Sequence, residues 1–184
     1  MNNLIAICGP IGSGKDTASN YLVEKHGFTK LSFGGLVKDI VSILFSWNRE
    51  LLEGDTLESR EWRETVDEWW SSELQIFNFT PRMALTMIAT DALRNHFHPD
   101  IWVKALKRKI MEYEKVVISD CRFLNEAEFI RSMNGKIIKI FREYPSSGQN
   151  LHQSETEWIK IDADLIIHNN QNIENIFQKI QNIF

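Results

Sequence analysis

The chain has 184 residues, 43% hydrophobic and 25% charged, with six Trp and eleven Phe, a composition that excludes a disordered tail and predicts one folded domain over 1–184. Its formal charge of -4 excludes the global basic field with which a protein grips a nucleic-acid polymer. Cys8 and Cys121 make neither a disulfide framework nor a paired metal spacing, and no apolar run approaches the roughly 20 residues of a membrane span. The first eight residues lack the basic segment and cleavage site of a signal peptide, so a reducing, cytoplasmic setting is expected.

Residues 4–8 are a continuous apolar run, which predicts a strand buried on both faces. After the glycine-rich stretch 9–14, residues 15–24 read as a helix with Ala18, Tyr21 and Leu22 on one face. A short strand over 29–33 is broken by Gly34-Gly35, and a helix follows with Val37, Ile40, Val41 and Leu44 inward. Residues 46–79 carry no strand pattern and read as a helical insertion. Within it, Ser59 is expected to cap a helix reaching about residue 72. Thr80-Pro81 is an N-cap followed by proline at the first helical position, and Leu85, Ile88, Ala89, Ala92 and Leu93 keep the helical period. Asp100 is expected to cap a further helix through Ile110.

The last third alternates more regularly. Strands are expected at 116–119, ending on Asp120, at 137–141, ending on Arg142, and at 165–167. Asn125 is read as the cap of a helix that stops at Asn134-Gly135, residues 143–151 as a mobile loop, and residues 172–184 as a closing helix. About five strands separated by helices imply a parallel sheet inside a three-layer α/β/α sandwich.

Gly9-Pro-Ile-Gly-Ser-Gly14-Lys15 carries the chemistry. Glycines let successive backbone N–H groups curl around a phosphate, the following helix presents its positive end to the same anion, and Lys15 brings an ammonium to the outer phosphates. The usual Ser or Thr after the lysine is Asp16 here, with Thr17 behind it. Asp16 either holds a metal through water, positions Lys15, or caps the helix.

Asp120 follows an apolar strand and is expected at the sheet's carboxyl edge, where open α/β folds bind ligands, with Arg122 in the same loop. Phosphoryl transfer is mostly positioning and charge neutralisation, so it needs cations beyond the cradle. Lys38, Arg60, Arg63, Arg82, Arg94, Arg122 and Arg142 are the candidates; Lys38, Arg82, Arg122 and Arg142 stand out because each follows or caps a break. The tryptophans between Trp47 and Trp70 either pack a small helical subdomain or stack on a base, and His152 reads as structural.

The ordered set of motifs resembles the deoxynucleoside monophosphate kinases of bacteriophage type. It comprises Ser13-Gly-Lys-Asp-Thr17, Leu36-Val-Lys38-Asp39, Pro81-Arg82, Thr90-Asp91, Ile101-Trp-Val103, Ser119-Asp-Cys-Arg122 with Asn125-Glu126, Phe141-Arg142 through His152-Gln-Ser-Glu155, and 162–169. The resemblance implies a P-loop kinase fold with a small helical acceptor-binding insertion over 46–79. It implies transfer from ATP, with Mg²⁺, to a deoxynucleoside 5′-monophosphate. Gly12, Ser13, Gly14, Lys15, Asp16 and Thr17 would surround the ATP phosphates, with Asp16 the candidate metal residue. Lys38, Arg60, Arg82, Asp91, Trp102, Asp120 and Arg122 would line the acceptor site. Lys15, Asp120, Arg122 and Arg142 would carry the chemistry, under a lid over 142–153. A homodimer is also implied. The chain departs most over 46–79, where it is shorter than those relatives. Two other readings are another small-molecule P-loop kinase, such as a phosphomevalonate-type enzyme, and a non-catalytic nucleotide-binding switch.

Overall fold

A computed structural model describes residues 3–142, 156–170 and 173–183. The chain divides into two compact units, Met1–Phe33 with Val103–Phe184, and Gly34–Trp102.

The first unit holds the sheet. Strands β1 (Asn3–Cys8), β2 (Thr29–Leu31), β3 (Lys115–Ile118), β4 (Lys136–Phe141) and β5 (Leu165–His168) lie in the order β2-β3-β1-β4-β5, all parallel. In β1, alternate residues face opposite ways, yet every residue from Leu4 to Cys8 is buried, so both faces are covered. Ile5, Ile7, Val117, Ile138, Ile140 and Ile167 pack with Ala18, Tyr21 and Leu22 of α1 (Lys15–His26) and with Ile176 and Ile180 of α8 (Ile173–Gln181). Tyr21 stacks on Phe177 and accepts a hydrogen bond from Gln181 Nε2 at 2.7 Å, tying α1 to α8. The other face takes α7 (Leu124–Ser132), which buries Ala127, Phe129 and Ile130. The result is an α/β/α sandwich.

The strand order positions the site. The β1 exit leads through α1 to β2, while the β3 exit leads through α7 to β4 on the other side of β1. The two connections therefore diverge, and the crevice between them lies at the carboxyl ends of β1 and β3.

Several element boundaries differ from the sequence expectation. The strand at 29–33 stops at Leu31, because Phe33 already opens α2 (Phe33–Phe45). Asn125 lies inside α7 rather than capping it; Glu126 Oε2 instead accepts the Arg122 N–H at 2.8 Å and the Phe123 N–H at 3.2 Å. This is the N3 carboxylate of a capping arrangement, reaching back to the helix start. A 3₁₀ turn over Glu157–Lys160 was not foreseen. Residues 143–155, which include the expected loop, most of the lid and His152, lie outside the described residues.

The second unit is helical among its described residues. The single helix expected over 59–72 is two, α3 (Leu57–Glu64) and α4 (Glu68–Leu74). Thr56, not Ser59, caps α3; Ser59 answers from the third position by accepting the Thr56 N–H. Asp67 breaks the run because its carboxylate accepts the Trp70 N–H at 3.0 Å, starting a new helix. Trp47 stacks on Phe45 and meets Trp62 edge-on, and Trp70 meets Phe45 edge-on. The Trp47 and Trp70 indoles donate to Asp67 Oδ2 and Phe45 O. These three rings pack the unit, whereas Trp69 is 61% exposed. In α2, Val37 and Val41 are buried as expected, but Ile40 and Leu44 are exposed. The helix begun at Pro81 is α-helical only through α5 (Pro81–Thr86), its Thr80 cap accepting the Met83 N–H, and continues as a π-helix over Met87–Phe97. The wide turn shows at its end, where the His98 N–H reaches Leu93 O, five residues back. Helix α6 (Ile101–Ile110) begins directly after Asp100.

Candidate active site

The cradle follows β1 without a break. Gly9, Gly12 and Gly14 all have positive φ, at 144°, 75° and 105°. At Gly9 a side chain is impossible, since a Cβ there would lie 1.9 Å from the Ile140 carbonyl oxygen of β4. Gly14 is the left-handed N-cap of α1, so the first helical residue is Lys15 and the positive end of α1 opens onto the turn. Gly12 has open space where its Cβ would stand and is exposed, while Ser13 is fully buried. Lys15 Nζ donates to the Pro10 carbonyl at 2.7 Å, folding the ammonium over its own loop. Asp16 is exposed and accepts from Lys30 Nζ of β2 at 2.9 Å. Thr17, one residue on, is half-buried.

On the neighbouring strand, Asp120 lies two residues past β3, and its Oδ1 accepts the Phe33 N–H at 2.8 Å. Arg122 is half-buried, its backbone fixed by Glu126. Cys121 donates its N–H to Ile7 O at 3.1 Å, which holds the Asp120–Arg122 loop against β1. Arg142 is exposed one residue beyond β4. Burial pushes the Cys8 thiol up to about 11, although the nearby charges of Lys139 and Lys15 pull it down. The cradle, Asp120 and Arg122 thus share the carboxyl edge of adjacent strands in one unit.

The remaining candidates belong to the helical unit. Lys38 Nζ pairs with Glu53 Oε2 at 2.6 Å, and Glu53 also pairs with Arg49, which in turn holds Asp39. Burial pushes the Glu53 carboxyl up, but hydrogen bonds and charges from Lys38 and Arg49 outweigh it and hold the group below its ordinary value. Arg60 donates to the Gly54 and Asp55 carbonyls. Arg82 Nε pairs with Glu64 at 3.3 Å, and Asp91 is exposed on the π-helix. Trp102 is 4% exposed and donates its indole N–H to Ala89 O at 2.9 Å.

Three residues beside these carry contacts that the sequence does not announce, although Glu126 and Asn169 fall within the motifs quoted above. Glu126 organises the Asp120–Arg122 loop; a glutamate three residues into a helix is the signal that finds it. Glu53 is the counter-ion of Lys38, and nothing local marks it. Asn169, one residue past β5, is 4% exposed and donates Nδ2 to Ser13 O at 2.8 Å.

Comparison with known proteins places this geometry. A family model described as deoxynucleotide monophosphate kinase matches residues 53–180. A putative deoxynucleotide monophosphate kinase of Acanthamoeba polyphaga mimivirus is 35% identical over 192 residues, spanning 96% of this chain and 93% of that one. The deoxynucleotide monophosphate kinase of Enterobacteria phage T4 is 27% identical over 106 residues, 55% of this chain and 44% of that one. Among solved structures, TT1252 from Thermus thermophilus shares the fold with a TM-score of 0.50 at 17% identity, covering 99% of this chain and 96% of that one. With the phosphate cradle, the parallel sheet and the match over 53–180 in agreement, the chain belongs to the deoxynucleotide monophosphate kinase family.

Proposed function

We propose that this kinase transfers the γ-phosphate of ATP to the phosphate of a deoxynucleoside 5′-monophosphate, giving ADP and the diphosphate. The observation that carries the reading is the turn at 9–15, where a left-handed Gly14 caps α1 immediately before Lys15 at the end of a buried strand. Such a turn aims backbone N–H groups and a helix terminus at an anion, and the lysine adds a mobile charge.

In this reading an acceptor phosphate oxygen attacks the γ-phosphorus, the bond to the β–γ bridging oxygen breaks, and ADP leaves. Little covalent work falls to the protein, so its residues act by position and charge. Gly12, Ser13, Gly14, Lys15, Asp16 and Thr17 surround the donor phosphates, and Lys15 exchanges its Pro10 contact for the transferring group. Arg122 and Arg142 offset charge on the moving phosphoryl group. Lys38, Arg60, Arg82, Asp91 and Trp102, with Asp120 and Arg122, serve the acceptor. Lys38 and Arg82, both already held by carboxylates, are the cations we assign to its phosphate.

Magnesium fits the donor set. It prefers phosphate oxygens and water, with only one or two protein oxygens. Among the described residues no group of three or more His, Cys, Asp or Glu could enclose a metal, which suits an ion carried on ATP. Asp120 and the Thr17 hydroxyl are hard oxygens that would hold it, and Asp16, committed to Lys30, would reach it through water. Bound there, the ion supplies positive charge to the β- and γ-phosphate oxygens. We further propose a cytoplasmic homodimer, a host's cytoplasm if the source is viral, with no membrane and no nucleic-acid polymer as partner. No described helix is long and apolar enough to cross a membrane, and the exposed Ile43, Leu57 and Phe77 give the helical unit apolar surface for a second copy.

The test is turnover with ATP, Mg²⁺ and each deoxynucleoside monophosphate. Diphosphate from at least one is expected; none from any, or turnover of phosphomevalonate alone, overturns the reading.

A further inference from the structure

The cradle's shape depends on a peptide that its own glycine leaves free to turn. Gly14 at φ 105° lacks the Cβ that would otherwise restrain the Ser13–Gly14 peptide. The restraint comes from the far end of the sheet. Asn169 Nδ2 donates to the Ser13 carbonyl at 2.8 Å, and a Cβ on Gly14 would lie 2.7 Å from that same nitrogen, so the amide sits flush against the turn. Asn169 is anchored in turn, because its backbone N–H donates to Phe141 O at 2.8 Å, continuing the β4–β5 ladder. Both residues are buried, Ser13 at 0% and Asn169 at 4% exposure. Among the described residues Ser13 Oγ and Asn169 Oδ1 are buried with no hydrogen-bond partner, so the Ser13 carbonyl bond is where this side chain's polarity is used.

Resting on the reading of 9–15 as the ATP site, we propose that Asn169 is a positioning residue for that site, locking the Ser13–Gly14 peptide in its phosphate-binding orientation. In a trans peptide the carbonyl and the following N–H point in opposite directions. Holding the Ser13 carbonyl towards Asn169 therefore sends the Gly14 N–H away from the core side. Without the amide, the peptide is free to rotate about a glycine, and the carbonyl rather than the N–H then faces the phosphate for part of the time. The same residue ties down Phe141, directly before Arg142, so one side chain and its own backbone N–H steady two donor-side segments.

The experiment is calorimetric binding of ATP, and separately of the accepted deoxynucleoside monophosphate, to wild type and Asn169→Ala, with melting temperatures recorded. Expected is ATP binding at least about tenfold weaker in the variant, the loss of one buried hydrogen bond, with acceptor binding within twofold. Unchanged ATP affinity in the variant overturns the proposal and leaves the kinase reading standing, as does equal weakening of both ligands, which marks general loosening. Wild type that fails to bind ATP overturns both. Should Asn169→Ala not fold, nuclear magnetic resonance of the wild type decides. A slowly exchanging Asn169 side-chain amide proton that shifts on ADP addition supports the lock; free exchange or no shift overturns it.

Discussion

The Asp120 carboxylate accepts the Phe33 amide proton at 2.8 Å, joining two residues 87 positions apart. One oxygen just past β3 thereby holds the backbone of Phe33, where α2 opens. Asp120→Asn keeps an acceptor oxygen and loses the charge, whereas Asp120→Ala loses both. We expect Asp120→Ala to lower the melting temperature by roughly 2–12 °C, from one unpaired, part-buried donor at about 1–3 kcal/mol. Asp120→Asn should melt within about 2 °C of wild type and still lose most of its turnover. Calorimetry with parallel kinetics separates the roles; an active Asp120→Asn would remove the charge from the chemistry.

Lys15→Ala should lose about three orders of magnitude in turnover while keeping its fold, because it removes charge that matters most in the transition state. Arg82→Ala should act differently, raising the acceptor KM about tenfold with the ATP KM near wild type. Steady-state kinetics with each substrate varied in turn checks both. A rise in the ATP KM alone would put Arg82 on the donor side.

The pairing of Arg131 with Asp164 predicts an acid response. Arg131 Nη1 lies 2.7 Å from both Asp164 oxygens, and Oδ2 also accepts the Ile137 N–H at 2.7 Å. Burial pushes the Asp164 carboxyl up, but the Arg131 hydrogen bond, the Ile137 amide and the Arg131 charge outweigh it, leaving it below its ordinary value of 3.8. A depressed folded value stabilises above the unfolded one, and that contribution disappears as the pH falls through the folded value. The melting-temperature gap between wild type and Asp164→Asn should therefore be full at pH 6 and shrink below about pH 4. A gap independent of pH would show that the ion pair contributes nothing.

Neither cysteine should react in the folded protein. Cys8 and Cys121 are 0% and 1% exposed, and burial raises both thiols, Cys8 to about 11. Alkylation at pH 8 should label no thiol natively and both in guanidinium, read by mass. Fast native labelling of Cys121 would reveal opening of the loop beside Asp120.

What could be read from the sequence is what local physics determines. A buried parallel strand is an uninterrupted apolar run, and the turn after β1 needs glycines whatever surrounds it, so β1, the cradle and α1 are visible in residues 4–24. The break at Asp67 was missed because its cap competes with a tryptophan period that continues through it. The π-helix at Met87–Phe97 leaves no distinct signature, since its apolar residues also satisfy an ordinary helical period. Lys38 was legible as a cation at an element's start, but its partner Glu53 lies fifteen residues on, past a turn. Asn169 sits in a run of Asn and Gln that reads as a plain turn, and its contact lies 156 residues away.

The strand order also has a consequence during synthesis. β1 is made before the other four strands yet lies at the centre of the sheet, and its register partner for Asn3 is Lys115. At about 5–20 residues per second, roughly 6–22 seconds of translation separate the two. Through that interval the greasy segment 4–8 has no ladder neighbour on either side, so stalled polypeptides ending before Lys115 should be prone to clumping.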